Sequence, residues 1–143
     1  MTSLHSPGRT VDVDGITTPD SPYPSATRAG DTVYVSGQVS FGDGGSVVGE
    51  GDIEAQTRCS LERLGKVLST YGASLSNVVS CTVYLRDAAL AEAFNRTWVS
   101  VFAGHRPSRA TVVAELLDPR LLVEVQATAC LPQGGPDRAE AWK

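Results

Sequence analysis

Apolar residues alternate with other residues near the end of the chain, and this alternation predicts β-strands. Between Leu121 and Leu131 every second residue is apolar. Successive side chains of a strand point to opposite faces, so these residues form one apolar row. The opposite row is Glu124, Gln126, Thr128 and Cys130. In the preceding run, one face takes Arg109, Thr111 and Val113, and the other takes Ala110 and Val112. We therefore predict two paired strands joined by a short turn.

Spacings of three and four residues between apolar side chains predict two helices. The first runs from Asp52 to Tyr71 and ends at Gly72, a residue type common just after a helix. The second runs from Ala88 to Phe102. Its apolar side is formed by Leu90, Phe94, Trp98, Val101 and Phe102.

Further alternation predicts a short edge strand at 10–13 and longer strands at 31–38 and 77–86. The strand at 31–38 reaches a bend at Gly37, where backbone approaches a ligand or a side chain closely. In the strand at 77–86, the side predicted to face the core is Val79, Cys81, Val83 and Leu85. Residues 17–26 hold three prolines and predict a loop. Within this loop, Tyr23 is either a packing residue or a ring that lines a site.

These elements predict an α+β fold, with one mixed sheet and both helices packed on a single face. We expect one domain over residues 1–143, with tails at 1–9 and 133–143. The face of the sheet left uncovered mixes apolar and polar side chains, which suits a symmetric subunit interface better than bulk water. These side chains are Tyr34, Ser36, Val78, Thr82 and Tyr84.

Composition narrows the class of protein. The chain has 143 residues, a net charge of −4 and 20% charged residues, which does not favour a nucleic acid or anionic membrane partner. No apolar run is long enough to span a bilayer and no secretory leader begins the chain, so we expect a cytoplasmic protein. Cys59, Cys81 and Cys130 form no CxxC pair and predict reduced thiols. His5 and His105 are too few and too far apart to predict a metal site.

Arg109 and Glu124 are the residues with the clearest potential for chemistry. They either form a salt bridge that closes a strand end, or Arg109 binds a substrate carboxylate through two hydrogen bonds while Glu124 holds or deprotonates a water. Asn95 is a structural hydrogen-bonding residue or a ligand contact. No nucleophile lies beside an evident base, and no nucleotide fingerprint supports a redox cofactor.

Several motifs together resemble the RidA (YjgF) family of reactive intermediate deaminases. They span residues 17–131 and are SPYPSA, VYVSGQ, GDIEAQTRCSLERL, GASLSNVVSCTVYLRD, FNRTW, RPSRATV and LVEVQATA. The resemblance implies a fold similar to bacillus-type chorismate mutase and a homotrimer whose sheets form an inner barrel, with active clefts between subunits. It also implies hydrolysis of enamine and imine acids, such as 2-aminoacrylate and 2-iminopropanoate, to 2-oxo acids and ammonia, without metal or organic cofactor.

Residue by residue, the resemblance assigns carboxylate binding to Arg109 and water holding to Glu124. The substrate-binding positions it implies are Tyr23, Ser36, Gly37, Asn95 and Thr111. The chain departs from the family pattern at residues 21–26, where SPYPSA lacks the usual glycine and glutamine, and at Gln126, where a second glutamate is common. Two alternatives therefore stay open. One is a pathway-specific enzyme that isomerises or cyclises a larger imine-bearing intermediate, and the other is a non-catalytic trimer that binds small carboxylates.

Overall fold

The computed structural model describes residues 9–132, which form a mixed six-stranded sheet covered on one face by two α-helices. The strands are β1 (Thr10–Val11), β2 (Ala26–Ala29), β3 (Thr32–Val39), β4 (Val78–Leu85), β5 (Ser108–Val113) and β6 (Val123–Cys130). The helices are α1 (Ile53–Ser69) and α2 (Ala91–Phe102). This arrangement confirms the predicted α+β class. Apart from Arg9, the tails predicted at 1–9 and 133–143 lie outside the described residues.

The order of strands across the sheet is β1-β2-β3-β6-β4-β5. Strands β4 and β5 are parallel, and the other neighbours are antiparallel. The prediction that the last two strands pair with each other is wrong, because β4 lies between them. Helix α2 supplies the crossover that joins the parallel strands β4 and β5. The segment after β5 then passes to the other side of β4, where β6 pairs.

Helix α1 begins where the sequence predicts and ends at Ser69, two residues before the predicted Tyr71. Asp52 precedes it in extended conformation, and its Oδ1 accepts a hydrogen bond from the Ala55 amide at 3.0 Å, as an N-cap residue does. After the helix, Gly72 has a φ of +72°, which side chains other than glycine rarely adopt. The face toward the sheet is Leu61, Leu64, Val67 and Leu68, all fully buried. Each such side chain contributes about 1.5–3 kcal/mol of transfer free energy on burial.

Helix α2 brings three rings to the same side, at the spacing that the sequence predicts. Neighbouring ring centroids lie 5.4 Å apart for Phe94 and Trp98 and 4.7 Å apart for Trp98 and Phe102, within the range of favourable aromatic pairs. The predicted start at Ala88 belongs to a 3₁₀ turn, Ala88–Leu90, that leads into the α-helix.

The start of strand β4 differs from the prediction. Val78 is fully buried and Val79 is 49% exposed, the reverse of the expected faces. Pairing with β6 shifts between Val78 and Ser80, so this strand contains an extra residue, as in a β-bulge. From Cys81 onward the predicted core side is confirmed, since Cys81, Val83 and Leu85 are buried.

The open face of the sheet keeps a mixed character. Tyr34 is half exposed, and the neighbouring side chains of β4 and β6 on this face are partly buried. The expected subunit interface on this face stays a prediction, without Val78, which belongs to the core. All three cysteines are free: Cys81 is buried, and Cys59 and Cys130 are half-buried. Within residues 9–132, no helix has the length and apolarity needed to cross a bilayer.

Candidate functional site

Arg109 lies in an open cleft on the helix-covered side of the sheet. The cleft has a volume of about 480 Å³ and lies between α2 and the segment that leads into β5. Its lining residues are Asn95, Trp98, Val99, Gly104, His105, Arg106, Pro107 and Arg109. The expected free space around this guanidinium is therefore present.

Four side chains hold the Arg109 guanidinium in place. Its Nε donates to Thr111 Oγ1 at 2.8 Å, and its Nη2 donates to Asn95 Oδ1 at 2.6 Å. Its Cζ lies 5.1 Å from the centroid of the Phe94 ring and 4.9 Å from that of Trp98, so two aromatic faces also contact the cation. A guanidinium has five N–H groups. Two are used by these bonds, and three remain without a partner within residues 9–132.

The groups beneath Arg109 do not neutralise it. Burial lowers the pKa of Arg109 below its ordinary value, and the neighbouring Cys81 acts in the opposite direction. Burial also raises the pKa of the Cys81 thiol to about 12. The thiol therefore stays protonated at neutral pH, while arginine stays charged. Arg109 is thus a fixed cation with free donors.

Glu124 lies in a second cleft, of about 360 Å³. The residues that line it are Gly37, Tyr84, Ala114, Glu115, Leu116, Leu117, Glu124 and Gln126. Burial raises the pKa of Glu124 above its ordinary 4.5. A carboxylate with a raised pKa is a stronger base than one in open water, as general base catalysis requires.

Gly37 allows the close approach of Glu124 to β3. A Cβ atom placed on Gly37 would overlap Oε2 of Glu124, so a larger residue there forces the carboxylate aside. Pairing between β3 and β6 shifts between Val35 and Gln38, which opens the strand beside Gly37. The predicted bend at Gly37 thus leaves the space that the Glu124 carboxylate occupies.

Ser36 ties the proline-rich loop to this part of β3. Its Oγ donates to the Pro24 carbonyl at 2.7 Å, and its amide donates to the Ser25 carbonyl at 3.0 Å. Tyr23, just before Pro24, is 58% exposed. Among the described residues, Tyr23 is not one of those that line either cleft. The structure therefore leaves both interpretations of Tyr23 open.

Arg109 and Glu124 lie on opposite faces of the sheet. Arg109 pairs with Cys81, which faces the core under the helices, whereas Glu124 pairs with Tyr84, which faces the open side. The alternative of a salt bridge between them within one protomer is wrong, because the sheet separates them and Arg109 binds Asn95 and Thr111 instead. One protomer thus carries two half-sites.

The first half-site is Asn95, Thr111 and Arg109, and the second is Gly37 and Glu124, with Ser36 beside them. Sequence reasoning missed the contribution of Phe94 and Trp98, which contact the guanidinium. The sequence does indicate this contribution, since Phe94 and Trp98 lie four residues apart on one face of the helix that also carries Asn95.

Sequence reasoning also missed how the loop that borders the Glu124 cleft is held. Arg86 donates from Nε to the Leu121 carbonyl at 2.6 Å and from Nη2 to the Asp118 carbonyl at 2.9 Å. Gln56, on α1, accepts from the Leu122 amide at 2.8 Å and donates to the Arg120 carbonyl at 3.0 Å. These bonds fix the long connection from β5 to β6. In the sequence, Gln56 and Arg86 lie far from this loop and gave no local signal.

The described residues include no group of three or more His, Cys, Asp or Glu side chains placed to hold a metal ion. The charged groups of the two half-sites are the Arg109 guanidinium and the partly buried Glu124 carboxylate.

Several known proteins are similar to this chain in sequence and in fold. Residues 16–131 match the model of the family described as Endoribonuclease L-PSP. The 3-aminoacrylate deaminase RutC of Acinetobacter baylyi is 38% identical over 116 residues, which are 81% of this chain and 92% of that protein. A RutC family protein of Sulfurisphaera tokodaii is 34% identical over 107 residues, which are 75% of this chain and 86% of that protein.

Solved structures agree with the sequence matches. A Mycobacterium tuberculosis member of the YjgF/YER057c/UK114 family is 31% identical, with a TM-score of 0.72 and coverage of 85% of this chain and 98% of that one. A YjgF family protein of Neisseria meningitidis is 30% identical, with a TM-score of 0.72 and coverage of 82% and 92%. The resemblance seen in the sequence motifs is thereby confirmed, and the chain belongs to the Endoribonuclease L-PSP family, also called the YjgF/RidA family.

Proposed function

We propose that this protein hydrolyses small enamine and imine acids to oxo acids and ammonia, at clefts formed between the protomers of a homotrimer. The observation that supports it most is the Arg109 guanidinium in its open cleft, which four side chains fix and whose other three N–H groups have no partner among residues 9–132. Guanidinium binds carboxylate through two parallel hydrogen bonds, which lysine does poorly. Acids of the 2-aminoacrylate and 2-iminopropanoate type fit this group. The Acinetobacter baylyi relative, named for 3-aminoacrylate, adds support for a small enamine acid.

The separation of Arg109 from Glu124 supports a site shared by two protomers. The sheet lies between these residues within one chain, so they meet only if the Arg109 cleft of one protomer faces the Glu124 cleft of its neighbour. A closed cyclic trimer brings such unlike surfaces together three times. The open face of the sheet, with Tyr34 and Tyr84, then lies toward the centre of the trimer.

The mechanism uses water and proton transfers. Arg109 binds the substrate carboxylate, and the enamine takes a proton on carbon to become the imine. The Glu124 carboxylate of the neighbouring protomer accepts a proton from water, whose oxygen attacks the imine carbon. Glu124 then returns this proton to the nitrogen of the resulting carbinolamine. The C–N bond breaks to release ammonia, and the carbinolamine hydroxyl gives its proton to Glu124, which leaves the oxo acid. General acid–base catalysis of this kind contributes about 10²- to 10⁴-fold in rate, and none of these steps needs a metal or organic cofactor.

An RNA substrate is not favoured, although the family bears the name of an endoribonuclease. The chain has a net charge of −4, whereas proteins that bind nucleic acid gain most of their affinity from basic residues that neutralise phosphates. We expect the protein to act on small acids in the cytoplasm.

The test is ammonia release from an imino acid generated in the cuvette by an amino acid oxidase. We expect wild-type protein to accelerate release over the uncatalysed rate, and Arg109→Ala to lose about 100-fold or more, because two charge-assisted hydrogen bonds are removed. Arg96→Ala, on the same helix as Asn95, is the matched control and should keep full activity. If Arg109→Ala is as active as wild type, or wild type does not accelerate release, the proposed function is wrong.

A further inference from the structure

The Arg109 cleft is larger than a three-carbon acid needs. Its volume is about 480 Å³. Such an acid occupies less than about 180 Å³ if each of its six heavy atoms takes the roughly 30 Å³ of a water molecule in the liquid. Within one protomer, much of the cleft therefore remains free when Arg109 holds a single small carboxylate.

The charges around this space have one sign. Arg106 and Arg109 both line the cleft. Within the described chain, the residues that line it include no aspartate or glutamate. His105 is tied through Nε2 to the Val78 carbonyl at 2.6 Å, which keeps its ring at the wall. In a chain with a net charge of −4, this is a local positive site that attracts anions.

Arg106 is placed to reach a group next to the one that Arg109 binds. Arg106 is exposed and is one of the residues that line the cleft. The two residues are three positions apart, and their Cα atoms are at most roughly 10 Å from each other. Both side chains are long, so they can converge on the two ends of one short ligand.

From this pair of cations we infer that the cleft selects substrates with two acidic groups, with Arg109 on the carboxylate next to the imine carbon and Arg106 on a second carboxylate. This inference rests on the proposed function, because it concerns the same acid site. The substrate class is that of five-carbon or similar dicarboxylic enamines and imines.

Equilibrium binding of two matched oxo acids tests the inference. 2-Oxoglutarate and 2-oxopentanoate have chains of the same length and differ in the second carboxylate. We expect calorimetry to show that wild-type protein binds 2-oxoglutarate about tenfold more tightly, and that Arg106→Gln reduces this ratio to near one. Arg96→Gln, an exposed arginine outside the lining of the cleft, should leave the ratio unchanged. Added salt should lower the wild-type ratio, since exposed charges are screened.

The outcomes separate the inference from the proposed function. If wild type binds both oxo acids equally, or Arg106→Gln keeps the preference, the inference is overturned while deamination of monocarboxylic imines stands. If the diacid preference depends on Arg106 but no imine is hydrolysed, the inference stands as a diacid-binding site and the proposed function fails. If neither acid binds, both are wrong.

Discussion

The two clefts of this protein differ in how each one prepares its central charged group. Arg109 is surrounded by partners, since two hydrogen-bond acceptors and two aromatic rings fix its guanidinium. Glu124 is placed by the missing side chain of Gly37, and burial raises its pKa. The Arg109 guanidinium, which is oriented by its partners, and the Glu124 carboxylate, which has a raised pKa, thus lie on opposite faces of one sheet. The difference teaches that the fold places a binding group and a basic group in separate clefts, which the proposed trimer would bring together.

A large effect should come from replacing the shape of the cation while keeping its charge. Arg109→Lys retains a positive charge but loses the planar fork and the contacts that Asn95 and Thr111 make with it. We expect kcat/KM for imine hydrolysis to fall about 30- to 100-fold, with circular dichroism and oligomer size unchanged. Activity within threefold of wild type would show that charge alone suffices and would remove the argument from fork geometry.

Gly37→Ala tests the other cleft without touching a charged residue. The added methyl group should push the flexible end of Glu124 aside, and we expect kcat to fall about tenfold with little change in KM. Gly65→Ala, in α1, is the matched control, because a Cβ there makes ordinary contact with Leu75. That control should stabilise the helix by about 0.5–1 kcal/mol and keep full activity. Equal kinetics for both variants would contradict the proposal that Gly37 leaves the space needed by the Glu124 carboxylate.

A smaller effect is expected from removing one partner of Arg109. Asn95→Ala takes away the acceptor at 2.6 Å from Nη2, while Thr111 and both rings remain. We expect KM to rise about fivefold and kcat to change less, since the guanidinium is less well oriented for binding. A fall in kcat at constant KM would instead indicate that Asn95 contacts the reacting atoms.

The pH dependence of kcat/KM distinguishes the Glu124 cleft from the Arg109 cleft. Burial raises the pKa of Glu124, so its basic form is lost at a higher pH than for an ordinary carboxyl group with a pKa of 4.5. We expect kcat/KM to decline as the pH falls through this raised pKa, and Glu124→Gln to abolish the decline together with most of the activity. In Asn95→Ala the decline should stay in place, since that variant alters the other cleft. An unchanged acid limb in Glu124→Gln would assign the titration to another group.

Local patterns predicted the elements that local forces determine. The N-cap at Asp52, the ring spacing of Phe94 and Trp98, and the alternation of β6 follow from periods of 3.6 and 2, and the structure has them. The family resemblance added which residues to look at. Neither the local patterns nor the family resemblance depends on knowing which residues are in contact in the folded protein.

The sequence could not reveal which elements become neighbours. A strand pattern is the same for a hairpin and for two strands with a third between them, so the position of β4 between β5 and β6 was missed. Alternation also shows which residues share a face without showing which face meets the helices. Arg109 and Val113 alternate with Ala110 and Val112, so either side was a reasonable core face. The bulge at Val79 reversed the expected sides of Val78 and Val79 for a similar reason, since one extra residue shifts the alternation.

A mixed trimer tests the central claim, a site shared between protomers, most directly. Arg109→Ala and Glu124→Gln chains with different affinity tags are co-expressed, and oligomers with both tags are isolated. Each variant alone should be nearly inactive, whereas every mixed trimer contains one cleft with both intact half-sites. We expect about one third of wild-type ammonia release from these trimers. Release no greater than that of either variant alone would contradict the claim, because a site within a single protomer cannot be restored by mixing.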